Sequence, residues 1–387
     1  MNVLIVNMSD ARGGAAIVAR RLMHALNRQE GVHARMLVAD RTTDDADVVA
    51  LPRRWWIKKL LDRLVVWVAN GFSRKGLWLA DAGFFGTDIT RRPEFQQADV
   101  IHLHWVNQGF LSLRDIDRIL HSGKRVVWTM HDAWLTLPLH HHEGTPLPQS
   151  WLWRKLLPRV EQRKRQMLQN TPLQLVACST WMAEAARQST FTQHLPVTVI
   201  PNAIEIPVLP VKTPTEEHTI LFAAARIDDE IKGFDDLLLA LQHLRHRRDV
   251  RLLLAGGIND KRLLEQIPIP YEYLGYQSDM LARIAQATCL VSCSRRETLP
   301  TTIVEAQSVG TTPVAYCDSG ARDLIAEGET GYFATYRDTQ SLAQAIERAI
   351  DQPLDPEKLR QHVRANYSPE VIAQRHLQVY NAQTQQQ

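Results

Sequence analysis

Short apolar segments alternate with helical patterns along the whole chain. Each segment is rich in Val, Ile and Leu and is apolar on both faces, which is the pattern of a strand in a parallel sheet covered on both sides. Between the segments, apolar residues recur at helical spacing, as at Val18, Leu22 and Leu26, and they predict amphipathic helices. In the front half the predicted strands are Val3–Met8, Ala34–Ala39, Val100–His104, Val126–Met130, Leu175–Ser179 and Val197–Ile200.

The rear half repeats the same order of elements. Strands that alternate with helices, twice over, predict an α/β protein with two doubly wound, Rossmann-like parallel-sheet domains that face each other across a cleft. Ligands of such sheets bind beyond the carboxyl ends of the strands, so we expect functional side chains there. The predicted strands of the rear half are Thr219–Ala223, Val250–Ala255, Tyr271–Leu274, Leu290–Cys293, Pro313–Tyr316 and Gly331–Ala334.

Prolines mark the boundary between the two predicted domains. Four of them fall between residues 201 and 217 and make a helix or a central strand unfavourable there. The predicted division is an N-terminal domain at 1–203, a linker at 204–217, a C-terminal domain at 218–368, and a last helix with a polar tail at 369–387 that crosses back to the N-terminal domain.

Composition and charge narrow the class of protein. The 387 residues include 45% apolar and 22% charged residues, which fits a globular protein of about two domains and excludes a disordered chain. Four scattered cysteines predict reduced thiols, as in the cytoplasm, and no signal peptide or membrane-spanning segment is expected. Residues 1–205 carry 26 basic against 18 acidic residues, so we expect this half to face an anionic partner.

Two motifs indicate phosphate binding. Gly13 and Gly14 follow the first predicted strand and open the first predicted helix. Backbone without side chains lets a phosphate or a sugar approach the helix N-terminus there, although a tight turn would use the same residues. In the rear half, Arg226 and Lys232 lie six residues apart across a loop. They predict a clamp on a diphosphate, with a pair of solvated surface charges as the alternative.

A pair of glutamates is the most specific motif of the rear half. Glu297 and Glu305 are separated by seven residues, and Thr301 or Thr302 is the predicted N-cap of a helix that contains Glu305. Carboxylates accept hydrogen bonds from hydroxyl groups, so Glu305 suits a ribose diol and Glu297 suits sugar hydroxyls. An ordinary exposed glutamate pair can have the same spacing.

Together these segments resemble glycosyltransferase family 4, a large group of retaining enzymes with the GT-B fold. The resemblance covers most of the chain in the family's order. The chain departs from the usual pattern at Thr298-Leu299-Pro300, where most members have Gly-Phe-Gly. The matching segments are Gly13-Gly14, Thr129-Met130-His131-Asp132, Pro201-Asn202-Ala203-Ile204, Arg226 with Lys232-Gly233, Glu297 through Glu305, and Ser319 through Gly331.

The resemblance implies the transfer of a hexose from a nucleoside diphosphate sugar with retention of configuration, without a metal or another cofactor. It implies that Arg226, Lys232 and the helix N-terminus stabilise the leaving diphosphate, while His131 contacts the donor sugar. The implied catalytic residues are Glu297, His131, Arg226 and Lys232. The implied donor-binding residues are Gly13, Gly14, Arg226, Lys232, Gly275, Tyr276, Leu299, Pro300, Thr301 and Glu305. The implied acceptor residues are His104 and Asp132.

Within the family, the segments His102-Leu103-His104-Trp105 and His131-Asp132-Ala133-Trp134 are most similar to bacterial enzymes that build surface polysaccharides such as colanic acid or O-antigen. We expect UDP, or next GDP, as the nucleotide and a saccharide or lipid-linked saccharide as the acceptor. The alternatives are a sugar-nucleotide epimerase of similar shape and a non-catalytic sugar-binding protein. No motif for nucleic-acid binding is present.

Two further clusters carry predictions about partners. Residues 53–79 combine cations, tryptophans and an apolar stripe, which favours a helix lying on an anionic membrane, here the inner face of the cytoplasmic membrane. A helix packed on its own domain with a solvated basic face is the alternative. Consecutive residues of an extended segment point to opposite sides, so His140-His141-His142-Glu143 is not expected to bind a metal.

Overall fold

The computed structural model describes residues 1–74, 76–142, 144, 150–207, 217–277 and 279–382. The chain forms two compact units, one made of Met1–Pro201 with the chain from Ile372 onward, the other of Asn202–Val371. Most of the predicted linker, residues 208–216, and the polar tail from residue 383 lie outside the described residues. The predicted boundaries between domains stay a prediction.

The first unit is built on a sheet of seven parallel strands. In chain order the strands are β1 (Asn2–Ser9), β2 (His33–Asp40), β3 (Val48–Ala50), β4 (Val100–Leu103), β5 (Arg125–Met130), β6 (Gln174–Ala177) and β7 (Val197–Val199). The helices are α1 (Gly14–Asn27), α2 (Trp55–Ala69), α3 (Pro93–Gln97), α4 (Leu113–Leu120), α5 (Trp151–Leu168) and α6 (Thr180–Gln188).

The order of strands in this sheet is β3-β2-β1-β4-β5-β6-β7. Residues 3–6 of the central strand β1 are all buried, as the continuous apolar pattern predicts for a strand covered on both faces. The order reverses direction at β1, between β2 and β4. The carboxyl ends of β1 and β4 therefore lie at a switch point, where open parallel sheets bind ligands.

The second unit repeats this plan with six parallel strands in the order β10-β9-β8-β11-β12-β13. The switch point lies at β8, between β9 and β11. The strands are β8 (His218–Arg226), β9 (Val250–Gly257), β10 (Tyr271–Gly275), β11 (Cys289–Ser292), β12 (Thr312–Tyr316) and β13 (Tyr332–Ala334). The helices are α7 (Phe234–His243), α8 (Met280–Gln286), α9 (Thr301–Val309), α10 (Thr339–Asp351) and α11 (Pro356–Tyr367), with 3₁₀ turns at Glu230–Lys232, Lys261–Gln266 and Ser319–Asp323.

The last helix, α12 (Pro369–Asn381), supplies part of the core of the first unit. The hydroxyl of Tyr380 lies 2.7 Å from Nδ1 of His102 on β4, and Arg125 of β5 donates a hydrogen bond to the carbonyl of Val379 at 3.0 Å. His376 is buried beside the His102 ring. The first unit is therefore assembled from both ends of the chain.

All twelve strands predicted from the sequence are present, with ends that differ by at most three residues. The strand that the sequence pattern missed is β3. It has three residues and lies at the edge of its sheet, so it carries too little apolar pattern to be recognised. Among the described residues, no helix is both long enough and apolar enough to cross a bilayer.

Candidate functional site

In the second unit, two predicted site residues meet at the carboxyl ends of adjacent strands. Lys232 follows β8, Glu297 follows β11, and the Lys232 ammonium donates a hydrogen bond to Oε2 of Glu297 at 2.7 Å. Both side chains are partly exposed. An ammonium and a carboxylate thus lie side by side, and the ammonium can still donate to a further anion.

Gly233 lets the two loops approach closely. Its φ is +71°, and a Cβ built on it would lie 2.1 Å from the carbonyl oxygen of Cys293. The Cys293 thiol donates a hydrogen bond to the Gly233 carbonyl at 3.2 Å. Only glycine fits this conformation and this distance without a shift of the backbone. The Lys-Gly pair of the motif therefore has a structural reason in this chain.

Arg226 lies at the end of β8, and 58% of its side chain is exposed. Its guanidinium is 3.4 Å from Asp228, and that carboxylate also accepts a hydrogen bond from the backbone N–H of Asn259 at 3.0 Å. The cation is therefore held loosely and remains open to solvent. Arg226 is the last residue of β8, and Lys232 follows it by six residues. The diphosphate clamp stays a prediction.

The loop after Glu297 leads into α9, which begins at Thr301. The N-cap is Pro300 and makes no side-chain cap, so the prediction of a threonine cap at Thr301 or Thr302 is wrong. Because its cap is a proline without an N–H, the helix presents its first amides from Thr301 onward, and no acidic residue occupies its first turn.

The other predicted donor residues of this unit differ in exposure. Leu299 and Pro300 are buried, whereas Thr301 and Glu305 are partly exposed on α9. At the end of β10, Gly275 has φ +64°, and 85% of Tyr276 is exposed. Tyr276 therefore offers an aromatic face at the same edge of the sheet.

In the first unit, Gly13 is the N-cap of α1 with φ +89°, and Gly14 begins the helix. A Cβ added at either glycine would meet no described atom within 4 Å, so the backbone there is open to a ligand. The preceding loop is fixed by the buried Asp10, whose two carboxylate oxygens accept four hydrogen bonds from the backbone and hydroxyls of Thr42 and Thr43. This turn is held rigidly without filling the space above it.

Two predicted histidines form a stacked pair beyond β4 and β5. Nδ1 of His104 lies 2.8 Å from Nε2 of His131, and the rings are 5.1 Å apart. Burial lowers the pKa of His131 to about 4 and that of His104 well below its usual value, so both rings are neutral near pH 7. His104 is buried, whereas His131 is partly exposed, so His131 is the ring of the pair that solvent can reach.

Asp132 is tied into the protein by three donors. Its oxygens accept hydrogen bonds from the Trp105 indole at 2.9 Å, from the Trp134 backbone at 2.9 Å, and from Nδ1 of His141 at 2.7 Å. Burial opposes a charged His141, but the adjacent Asp132 carboxylate outweighs it and raises the pKa of His141. The predicted acceptor roles of His104 and Asp132 stay predictions.

His141 is the functional candidate that the sequence did not reveal. In the sequence it stands out only within the segment His140-His141-His142-Glu143, which is not expected to bind a metal. Its spacing of nine residues from Asp132 carries no recognisable motif. In the described part of the chain, no group of three or more His, Cys, Asp or Glu side chains is arranged to hold a metal ion. Glu143 of that segment lies outside the described residues.

The segment 53–79 contains α2, which has one buried and one exposed face. Asp62, Arg63, Val66 and Ala69 are buried against the unit. The exposed face is apolar, and with nearby exposed residues it forms a surface that we call the α2 surface. Its members are Trp56, Ile57, Leu60, Leu61, Leu64, Phe72, Trp78, Leu79 and, at the start of α5, Trp151.

Two protein-family models match the chain. The model of glycosyltransferase family 4 matches residues 12–206, and that of the glycosyl transferases group 1 matches residues 209–367. Among curated proteins, a glycogen synthase of Mycobacterium tuberculosis is 26% identical over 223 residues, 54% of each protein. A phosphatidyl-myo-inositol mannosyltransferase of Mycolicibacterium smegmatis is 31% identical over 140 residues, 34% of this chain and 36% of that protein. The chain thus aligns with about half or less of these relatives' lengths.

A solved structure extends the similarity to nearly the whole chain. The structure of Anabaena HepE in complex with UDP and glucose has a TM-score of 0.63 and 17% sequence identity, and the match covers 98% of this chain and 99% of that one. With the two doubly wound parallel-sheet units, this similarity confirms the GT-B fold predicted from the sequence.

Proposed function

Because the chain belongs to glycosyltransferase family 4, we propose that it transfers a hexosyl group from a nucleoside diphosphate sugar to a hydroxyl of a saccharide or lipid-linked saccharide. The nucleotide is UDP, with GDP second, the configuration at the anomeric carbon is retained, no metal takes part, and the product belongs to a bacterial surface polysaccharide. The observation that carries this proposal is the contact of Lys232 with Glu297 at the carboxyl ends of adjacent strands.

Transfer of a hexose leaves a nucleoside diphosphate whose terminal phosphate gains negative charge. Lys232 and the amides at the start of α9 are held in place by the fold, and the solvent-exposed Arg226 adds a further cation. Together they stabilise this charge, which is the main electrostatic requirement of the reaction. The carboxylate of Glu297 has several acceptor positions. It can hold Lys232 in place and still accept a hydrogen bond from a sugar hydroxyl.

His131 contributes orientation rather than charge in this proposal. With a pKa of about 4, the ring is neutral at physiological pH and is too weak a base to remove a proton from a hydroxyl efficiently. Its stacking on His104 fixes the ring plane. His131 therefore acts as a positioned hydrogen-bond partner for the sugar.

The function is tested by incubating the protein with UDP- and GDP-hexoses, with and without saccharide acceptors, and analysing products by mass spectrometry. Transfer to an acceptor supports the proposal, and NMR of the new linkage tests retention. Isomerised sugar from donor alone would instead indicate the epimerase.

Lys232→Ala is expected to lower kcat by about 10²-fold, the usual effect of removing one charge-stabilising donor, while Glu305→Gln should weaken UDP binding. Unchanged values would contradict these roles.

The α2 surface supports docking on an anionic membrane. Its apolar side chains include the exposed face of α2, and Arg53 and Arg54 lie exposed just before this helix. The ammonium of Lys59 lies 5.6 Å from the ring centres of Trp55 and Trp78. This combination is typical of helices that insert shallowly into a membrane interface. It would bring the protein to a lipid-linked acceptor.

Two leucines of matched exposure provide a controlled test of this docking. Leu60 on α2 is 57% exposed and Leu239 on α7 is 58% exposed. We expect Leu60→Gln to reduce co-sedimentation with vesicles containing phosphatidylglycerol, and Leu239→Gln to leave it unchanged. Equal binding of both variants and the wild type, or no preference for anionic over neutral vesicles, would refute docking through this surface.

A further inference from the structure

Arg295 connects the two loops that carry Lys232 and Glu297. Its guanidinium contacts Asp235 and Asp236 in the first turn of α7, at 2.8 Å for the Oδ1 of Asp236. The same guanidinium donates to the carbonyl of Glu230 at 3.3 Å, and the backbone N–H of Arg295 donates to the carbonyl of Ile231 at 2.7 Å. One residue therefore holds both ends of the turn that presents Lys232.

The ion pair between Arg295 and Asp236 is largely shielded from solvent. Arg295 is 17% exposed and Asp236 is buried, whereas Asp235 is exposed. Ion pairs that are mostly buried and reach several oxygens constrain geometry far more than exposed pairs do. The planar guanidinium can meet two carboxylates and a carbonyl at once, which the single ammonium of a lysine cannot do.

The arrangement also controls which carboxylates are available to Lys232. Asp235 and Asp236 follow Lys232 by three and four residues and lie at the start of α7. Arg295 occupies both of them. Lys232 pairs instead with Glu297, two residues beyond Arg295. The contacts of Arg295 thus fix how the two loops lie against each other next to the Lys232–Glu297 pair.

We propose that Arg295 is a positioning residue that fixes Lys232 against Glu297 for diphosphate binding. The proposal rests on the proposed function, since it assigns Arg295 a role in that same site. Arg295 does not touch the substrate, and its effect passes through Lys232. A displacement of a positioned group by about 1 Å can lower turnover on the order of 10²-fold.

The test compares Arg295→Ala and Arg295→Lys with Arg364→Ala. Arg364 pairs with Glu357 on the surface of α11 and serves as the control for loss of one arginine ion pair. With the donor found in the product screen, we expect both Arg295 variants to lower kcat by roughly 10- to 10²-fold, and Arg295→Lys to keep the thermal stability of the wild type within a few degrees. Arg364→Ala should match the wild type in kcat.

A double-mutant cycle separates positioning from a general structural effect. In the Lys232→Ala background, Arg295→Lys should change kcat/KM by less than about twofold, because contacts that act through one group are not additive. If Arg295→Lys costs the same factor with and without Lys232, or if it leaves kcat/KM unchanged in the otherwise wild-type protein, the proposal is overturned.

A measurement without substrate distinguishes this proposal from failure of the proposed function. If no nucleotide sugar is turned over, the acylation rate of the Lys232 amine by an N-hydroxysuccinimide ester is followed by peptide mass spectrometry. Faster labelling of Lys232 in Arg295→Lys than in the wild type and Arg364→Ala supports the positioning role. Equal labelling in all three proteins overturns it.

Discussion

The substitution Gly233→Ala tests whether the close approach of two loops builds the site. A Cβ at Gly233 would lie 2.1 Å from the Cys293 carbonyl oxygen, whereas real Cβ contacts of this kind are at least about 3 Å, so the backbone must move by roughly 1 Å. Gly328 provides a matched control, because its φ of +73° is nearly the same as the +71° of Gly233, and a Cβ there meets no described atom within 4 Å.

Both variants lose folding stability because alanine is strained at a positive φ, but only Gly233→Ala also forces a steric contact. Alanine in the left-handed region costs roughly 1–2 kcal/mol at either position, and forcing extra atoms into a packed contact costs a further ~1–3 kcal/mol at Gly233 only. For a unit of this size, each kcal/mol corresponds to about 2–4 °C in Tm. Gly233→Ala should therefore lower the Tm of the second unit by roughly 2–12 °C more than Gly328→Ala does.

The same displacement should impair donor binding, because Gly233 is adjacent to Lys232. We expect Gly233→Ala to raise KM for the donor or lower kcat, and Gly328→Ala to leave both near wild type when measured below the Tm of each variant. Differential scanning calorimetry and steady-state kinetics give the two readouts. Equal Tm values and equal kinetics for the two variants would refute the argument that close approach at this glycine shapes the site.

Three further predictions concern the buried ionisable groups of the first unit. Burial lowers the pKa of His376 to about 3, so the folded state resists protonation of this ring and the protein loses stability as the pH falls below about 6.5. Between pH 6 and pH 4, the free energy of unfolding of His376→Gln should therefore change less with pH than that of the wild type, by up to ~1.4 kcal/mol per pH unit. The pKa of His141 is raised, so its effect on stability runs in the opposite direction with pH. Its pairing with Asp132 stabilises the protein fully below about pH 6.5, and the difference in free energy of unfolding between the wild type and His141→Asn should shrink as the pH rises above that value. Hydrogen bonds from Thr43 and Thr42 outweigh burial and lower the pKa of Asp10, so Asp10→Asn should destabilise the protein at pH 7 and have less effect below about pH 3.9. Urea denaturation at each pH measures all three, and parallel pH profiles for a variant and the wild type would contradict the corresponding assignment.

The fold was predictable because its signals are local. Each long strand carries its own apolar run, and β1 shows this most clearly because residues 3–6 are all buried. The edge strand β3 has only three residues and leaves no such run. The cap of α9 was mispredicted because threonine favours N-caps in general, whereas here Pro300 precedes the helix in extended conformation.

The candidate site was predictable where motifs mark it and hidden where distant residues build it. Lys232 and Glu297 could be proposed because each belongs to a recognisable segment, and the sheet order brings them to adjacent strand ends. The role of Arg295 depends on side-chain contacts some 60 residues away along the chain. The pairing of His141 with Asp132 likewise depends on how one loop folds back. Spacing in the sequence does not encode such contacts.

The pairing of His102 with Tyr380, 278 residues later in the sequence, affects how this protein is made. While the ribosome is still translating the second unit, the first unit lacks α12, and His102 of β4 is without the helix that contacts it. The strands of each sheet are contiguous along the chain, so only the first unit depends on a helix from the far end of the sequence. A chain truncated before residue 369 should therefore leave the first unit more sensitive to proteases than it is in the full-length protein.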